Sequence, residues 1–205
     1  MNKGLIVFAR EPLPGKVKTR LAASLGDQLA TRLYENMLQE VLKTARQLSD
    51  VGTTTFWACE SAALSRLAER YTCRSRLQSA GELGQRMQAA CEEIFAEGCD
   101  ICCIIGSDAP DLPTSYIVDA YRHLEMLHAD VVFGPSSDGG YYLLGLRQVW
   151  PQLFTNISWG SAEVLTQSLA AAKEAGLTTA LLPEWQDIDT VEDLRAYQDR
   201  IQGNA

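Results

Sequence analysis

The chain has 205 residues, 46% hydrophobic and 21% charged, a size and mixture that one hydrophobic core can serve and that exclude disordered and fibrous classes. A single domain over residues 1–205 is expected. The formal charge of -8 argues against a broad nucleic-acid surface, because such surfaces are built from many Lys and Arg contacts to phosphate, so any phosphate site has to be local.

In chain order, the first strand is predicted over 4–9, an apolar run too short for a signal-peptide core or a membrane span. A cytoplasmic protein is therefore expected, with its six cysteines as reduced thiols. The strand runs into the loop Arg10 to Leu21, R-E-P-L-P-G-K-V-K-T-R-L, the one concentration of cations in an acidic chain. Two prolines and a glycine stiffen it. Arg10, Lys16, Lys18 and Arg20 are candidate phosphate ligands, Lys as a compact charge and Arg as a planar fork, and the alternative is a solvated basic loop. The spacing is not that of a Walker loop.

A helix is predicted over 27–48, with Leu29, Leu33, Met37, Leu38, Val41, Leu42 and Ala45 on one face. A strand follows at 54–59 and a helix at 62–70. The segment Gly81 to Met87, G-E-L-G-Q-R-M, enters a helix at 83–96 and offers Arg86 as a further phosphate or nucleobase contact, against the plainer reading of a surface residue. Gly98 marks the end of that helix. Cys99 and Cys102 have C-x-x-C spacing but fall in C-D-I-C-C-I-I-G, which reads as a buried strand at 101–105 and not as a redox pair.

That strand leads into G-S-D-A-P-D-L-P, which puts Asp108 just past its carboxyl end. Magnesium takes one or two carboxylates and fills its other positions with water and substrate phosphates, so Asp108 is read as a metal ligand and Asp111 as a turn or cap before the helix at 115–127. Strands at 131–134 and 141–144 flank G-P-S-S-D-G-G-Y-Y. Asp138-Gly139 is a hairpin signal; alternatively Gly139 and Gly140, followed by Tyr141, form a substrate-binding stretch with Asp138 on a sugar hydroxyl or as general base. A helix at 162–175, a strand at 179–182 and a helix at 191–201 complete the chain. Before the last helix, D-I-D-T-V-E-D-L carries a capping pair, Thr190 with Asp193, and leaves Asp187 and Asp189 divided between structural roles and a second metal ligand. His123 and His128 are five apart on one helix and receive no role.

Apolar runs of strand length alternate with amphipathic helices throughout, the pattern of a mostly parallel sheet covered by helices. Taken in order, P-G-K-V-K-T-R-L, G-S-D-A-P-D-L, D-G-G-Y-Y-L-L-G and D-I-D-T-V-E-D-L resemble the nucleotide-diphospho-sugar transferase superfamily over nearly the whole chain. The likeness is greatest to bacterial single-domain A-type glycosyltransferases of unassigned substrate, and K-T-R-L also resembles the K-S-R-L of 2-phospholactate guanylyltransferases. The resemblance implies a three-layer α/β/α fold of the GT-A, Rossmann-like type. It also implies a divalent ion (Mg2+ or Mn2+) at Asp108 and Asp189, and phosphates on Arg10, Lys18 and Arg20. The chain lacks the L-x-A-G-G-x-G-x-R-M loop of sugar nucleotidylyltransferases and has S-D where many glycosyltransferases have D-x-D.

The expected activity is glycosyl transfer from a nucleotide sugar to a small acceptor, with the metal and Lys18 or Arg20 on the departing diphosphate. Nucleotidyl transfer from a triphosphate to a phosphorylated small molecule is the alternative reaction. A nucleotide-binding module without turnover is the alternative class.

Overall fold

A computed structural model describes residues 1–203. Asn204 and Ala205, the last positions of the expected domain, lie outside the described residues. The elements run β1 (Lys3–Arg10), α1 (Thr19–Leu25), α2 (Asp27–Arg46), β2 (Val51–Ala58), α3 (Leu64–Tyr71), β3 (Ser75–Leu77), α4 (Leu83–Ala96), β4 (Ile101–Ile105), α5 (Thr114–Glu125), β5 (Val131–Pro135), β6 (Tyr141–Leu146), α6 (Val164–Glu174), β7 (Thr179–Leu181) and α7 (Val191–Gly203).

All seven strands join one sheet in the order β3-β2-β1-β4-β6-β5-β7. Every neighbouring pair is parallel except the two that involve β6. The alternation of side chains along each strand divides the core. Leu5, Val7 and Ala9 of β1 and Cys103 and Ile105 of β4 pack with α2, α3 and α5, whereas Ile6, Cys102 and Ile104 pack with α4 and α6. The sheet is thus the middle of three layers, as the resemblance implied. A third small cluster joins Leu21 of α1 and Ala30 and Met37 of α2 to Ile188, with Val191 and Leu194 of α7 against it.

Two elements were not anticipated. The seven residues of α1 lie in what reads as loop, and β3 is a three-residue edge strand with no fully buried position, so its apolar pattern is too weak to see. Strand β2 starts three residues earlier than expected because Val51, Gly52 and Thr53 pair with Lys3, Gly4 and Leu5, a register set by the neighbour and not by hydrophobicity. On α2 the buried stripe is Ala30, Tyr34, Met37, Leu38, Val41, Leu42 and Ala45, while Leu29 is exposed. The helix is rotated so that Tyr34, and not Leu29, faces inward. Gly98 and Gly176 have positive φ just past α4 and α6, as helix stops require.

The connections place the site. β1, β2 and β3 step outward in one direction, and β4 then returns to the other side of β1, so the order reverses between β1 and β4. Loops leaving the carboxyl ends of two such strands diverge and leave a crevice between them. Because β6 is antiparallel, the β5–β6 turn opens at the same edge, as does the segment after β7.

A cleft at the sheet reversal

At that edge lies a cleft of about 520 Å³. Its lining gathers Arg10, Lys16, Lys18 and Arg20 after β1, Gln78 and Arg86 from the β3–α4 segment and Asp108 after β4. Asp138, Gly140 and Tyr141 come from the β5–β6 turn, and Asp187 and Asp189 from the segment before α7. Segments that the sequence singled out separately therefore meet in one place.

Lys18 is at its centre. Its Nζ lies 3.1 Å from Asp108 Oδ1 and 2.7 Å from Asp189 Oδ1; its side chain is 4% exposed, against 39% and 37% for the two carboxylates. The backbone of Lys18 is left-handed, φ 47 and ψ 48, an uncommon conformation for a residue with a Cβ. Buried Val17 precedes it, and its carbonyl accepts from the Ala22 amide as α1 begins. Burial pulls the Lys18 ammonium down, but Asp108 and Asp189 outweigh it and hold it above its ordinary value. Arg20 Nη1 approaches Asp189 Oδ2 at 3.5 Å from a largely exposed side chain.

The two carboxylate loops are tied by backbone. The Ile188 amide donates to the Asp108 carbonyl at 3.0 Å, and Ile188 itself is fully buried. The expected capping pair is present: Asp193 Oδ2 accepts from the Thr190 amide at 2.7 Å and the Thr190 hydroxyl at 2.8 Å, and the Asp193 amide donates back to Thr190 Oγ1 at 3.2 Å. It also accepts from the Asp189 amide at 3.1 Å, which fixes Asp189. Asp111 lies in a turn, the first of its two expected roles, and is not the cap: Arg200 Nε donates to it at 2.9 Å and Trp185 Nε1 at 3.3 Å, pinning α7 to the loop after β4, and α5 starts at Thr114, after Pro113, without a side-chain cap.

Three residues of the site were not anticipated. Tyr34 of α2 is buried, accepts from the Arg10 amide at 2.8 Å and lies 3.0 Å from Ser107 Oγ, so one phenol joins the ends of β1 and β4. Gln78 Nε2 donates to the carbonyls of Ala9 and Phe56, and its Oε1 receives Arg86 Nη1 at 2.8 Å. Arg86 is thereby aimed into the cleft, its Nε buried without a hydrogen-bond partner, and burial and then neighbouring Arg10 pull its guanidinium below the ordinary value. Trp159 packs edge-on against Tyr141, ring centres 6.4 Å apart, as a wall.

Among the described residues no ion pair engages Arg10, Lys16 or Arg86. Asp138 Oδ1 accepts from Ser136 Oγ and from the Gly140 amide, so the turn reading and the cleft position hold together. Gly140 lines the cleft but Gly139 does not; a Cβ on Gly139 would lie 2.1 Å from the Ala162 carbonyl oxygen, and its φ is 88. Asp187 is pushed up to about 6 by burial and then by the nearby carboxylates of Asp189, Asp138 and Asp108. The two histidines and six cysteines do not line the cleft; all six thiols are unbridged, and burial pushes Cys102 and Cys103 up.

Two carboxylates from different loops converge on a point that already accommodates one cation, and both side chains remain partly exposed. That hard-oxygen set suits magnesium or manganese. Among the described residues no group of three or more His, Cys, Asp or Glu side chains is gathered for a metal, so any ion here needs ligands from substrate or water.

The fold and the cleft at its reversal point define the nucleotide-diphospho-sugar transferase class, the fold of both glycosyltransferases and nucleotidyltransferases. The chain belongs to the family described as "Uncharacterized protein conserved in bacteria (DUF2064)", whose pattern matches residues 41–161. A nucleotide-diphospho-sugar transferase candidate from Desulfovibrio desulfuricans G20 is 33% identical, with 96% of this chain and 87% of that one aligned at a TM-score of 0.90. More distant folds include CMP:2-keto-3-deoxy-manno-octonic acid synthetase complexed with CTP (11% identity, full coverage of both chains, TM-score 0.64). They also include molybdopterin-guanine dinucleotide biosynthesis protein A from Archaeoglobus fulgidus (15%, 97% and 99%, 0.58). No curated protein matches in sequence. Among the described residues no helix is long and apolar enough to cross a membrane.

Proposed function

We propose that the chain is a divalent-metal-dependent glycosyltransferase that moves a sugar from a nucleotide sugar to a small acceptor. The observation that carries the reading is the meeting of Lys18 with Asp108 and Asp189 at the reversal of the sheet, beside Arg10, Lys16 and Arg86, which have no carboxylate partner among the described residues. Asp108 and Asp189 would hold the metal, which as a Lewis acid supplies charge stabilisation to phosphate oxygens. Lys18, with Arg10, Lys16 and Arg86, binds the diphosphate and neutralises the charge that develops as the glycosidic bond to it breaks. The Ser136–Tyr141 turn and Trp159 bound the remaining space, which is the compartment assigned to sugar and acceptor. Asp138, a carboxylate facing that compartment, is the candidate to receive the acceptor hydroxyl's proton. The unbridged thiols support a cytoplasmic setting.

Nucleotidyl transfer is the second reading. One observation favours it: Asp138 Oδ1 is already engaged by Ser136 and Gly140, and a phosphate nucleophile needs no base. Product analysis separates the two. Glycosyl transfer releases a nucleoside mono- or diphosphate from a nucleotide sugar in the presence of acceptor. Nucleotidyl transfer releases pyrophosphate from a triphosphate. Binding of either nucleotide without any product would support the non-catalytic module instead.

A further inference from the structure

The ammonium of Lys18 occupies the point on which Asp108 and Asp189 converge, which is also the point that best serves a metal. Its side chain is almost wholly buried beneath two carboxylates that stay open to the cleft. A monovalent cation at about 3 Å from both oxygens cannot share that place with a divalent ion, since like charges at such separations repel strongly even when the medium screens them. The backbone is not free to withdraw. Val17 is buried, the Lys18 carbonyl is bonded to Ala22, and the left-handed conformation at φ 47 is fixed by the turn into α1. The four-carbon stem is the part able to turn. Where its head can go is set by the cleft, whose lining carries Arg10 and Lys16, neither in an ion pair among the described residues and both of the charge that attracts a phosphate chain.

We infer that Lys18 is a built-in counter-ion that keeps the metal position closed until nucleotide arrives. In the free protein it neutralises Asp108 and Asp189 and holds affinity for divalent metal down. When a phosphate chain enters, the ammonium exchanges its carboxylate partners for phosphate oxygens and the metal takes the carboxylates. Metal and nucleotide then load together, and neither loads well alone. By linkage the factor by which phosphate strengthens metal binding equals that by which metal strengthens phosphate binding, on the order of 5–150-fold for coupled sites. This exchange rests on the metal assignment proposed above for Asp108 and Asp189.

The test is calorimetric titration of the full chain with Mn2+, alone and with inorganic pyrophosphate, which avoids any assumption about the base. The wild type is expected to bind Mn2+ weakly alone and more tightly with pyrophosphate. Lys18→Met is expected to bind Mn2+ alone more tightly than wild type by a factor in the range above and to gain less from pyrophosphate than wild type does, and adding Asp108→Asn is expected to abolish the tighter Mn2+ binding. If Lys18→Met does not fold, Lys18→Gly serves, because glycine adopts the left-handed backbone without strain. Equal Mn2+ affinity of the wild type and the Lys18 variant, with binding still dependent on Asp108, would overturn the exchange and leave the metal site standing. No Mn2+ binding to any of these proteins, with or without pyrophosphate, would overturn both.

Discussion

Lys18 and Asp189 are 171 positions apart in sequence, yet Lys18 Nζ donates to Asp189 Oδ1 at 2.7 Å. That contact joins the loop after the first strand to the segment before the last helix, across the carboxyl edge of the sheet. Its removal has a stability consequence. Asp189→Ala leaves Lys18 buried with Asp108 as its remaining carboxylate, and a loss of about 1–2 kcal/mol is expected, below the range for fully buried pairs because both carboxylates are partly solvated. Urea denaturation of the two proteins measures it.

Asp193 acts on the site through Asp189. Asp193→Ala removes the acceptor for the Asp189 and Thr190 amides and for the Thr190 hydroxyl. A loss of about 1–2 kcal/mol is expected, in line with helix-cap deletions. Metal-dependent nucleotide binding should weaken in parallel. Asp193→Asn, which keeps an acceptor oxygen, should recover most of both, as melting curves with and without ligand will report.

Tyr34→Phe keeps the ring in the core and deletes the hydroxyl that joins the Arg10 amide to Ser107. About 1 kcal/mol of stability is expected to go, because the Arg10 amide, the Arg10 carbonyl and the Ser107 hydroxyl lose a partner. The larger effect should fall on turnover, through looser placement of Arg10 and Asp108. Steady-state kinetics well below the melting range, where both proteins are folded, would show it as a lower kcat.

Gly139→Ala tests whether that glycine serves substrate or packing. The added carbon meets the Ala162 backbone at 2.1 Å in a conformation with φ 88, so destabilisation of about 1–3 kcal/mol is expected whether or not ligand is present. Gly140→Ala meets only Asp138 and Ser136 side-chain atoms, at 3.2 Å, and should cost less stability.

Asp187 sets a pH dependence. Its carboxyl is raised from 3.8 to about 6 in the folded chain, so the native state holds this proton more tightly than the unfolded state does. Its contribution to stability therefore declines as pH rises between those two values and is least favourable above the upper one. Asp187→Asn should melt higher than wild type at neutral pH in chelator, and the gap should close in strongly acidic buffer.

The fold was legible because its strongest signals are local. The continuous apolar run of β4 and the long face of α2 need no partner to be recognised, and G-S-D and D-I-D-T mark loops by their acids and turn residues. Asp108 and Lys18 were named from residue type and position after a strand, and Asp189, open on its residues alone, was named as a metal ligand through the family resemblance. What stayed hidden depends on the third dimension. That Lys18 grips both acids follows from the strand order, which no local pattern encodes. Tyr34 is one aromatic among the apolar positions of a helix, and its role comes from which way α2 is rotated. Gln78 follows an edge strand too short to show periodicity. Asp189 was favoured over Asp187 as a ligand, but that Asp189 would pair with Lys18 while Asp187 is buried and pushed up could not be read from D-I-D-T.

The measurement closest to the central claim is the melting temperature of wild type and Asp108→Asn with a panel of nucleoside triphosphates and nucleotide sugars, each in Mg2+ and in chelator. A ligand that binds the native state raises the melting temperature in proportion to its affinity. The wild type should be stabilised by at least one nucleotide in Mg2+ and much less in chelator, with the difference lost in Asp108→Asn. Stabilisation that is the same in chelator, or that survives in Asp108→Asn, would contradict a metal-held nucleotide at this cleft.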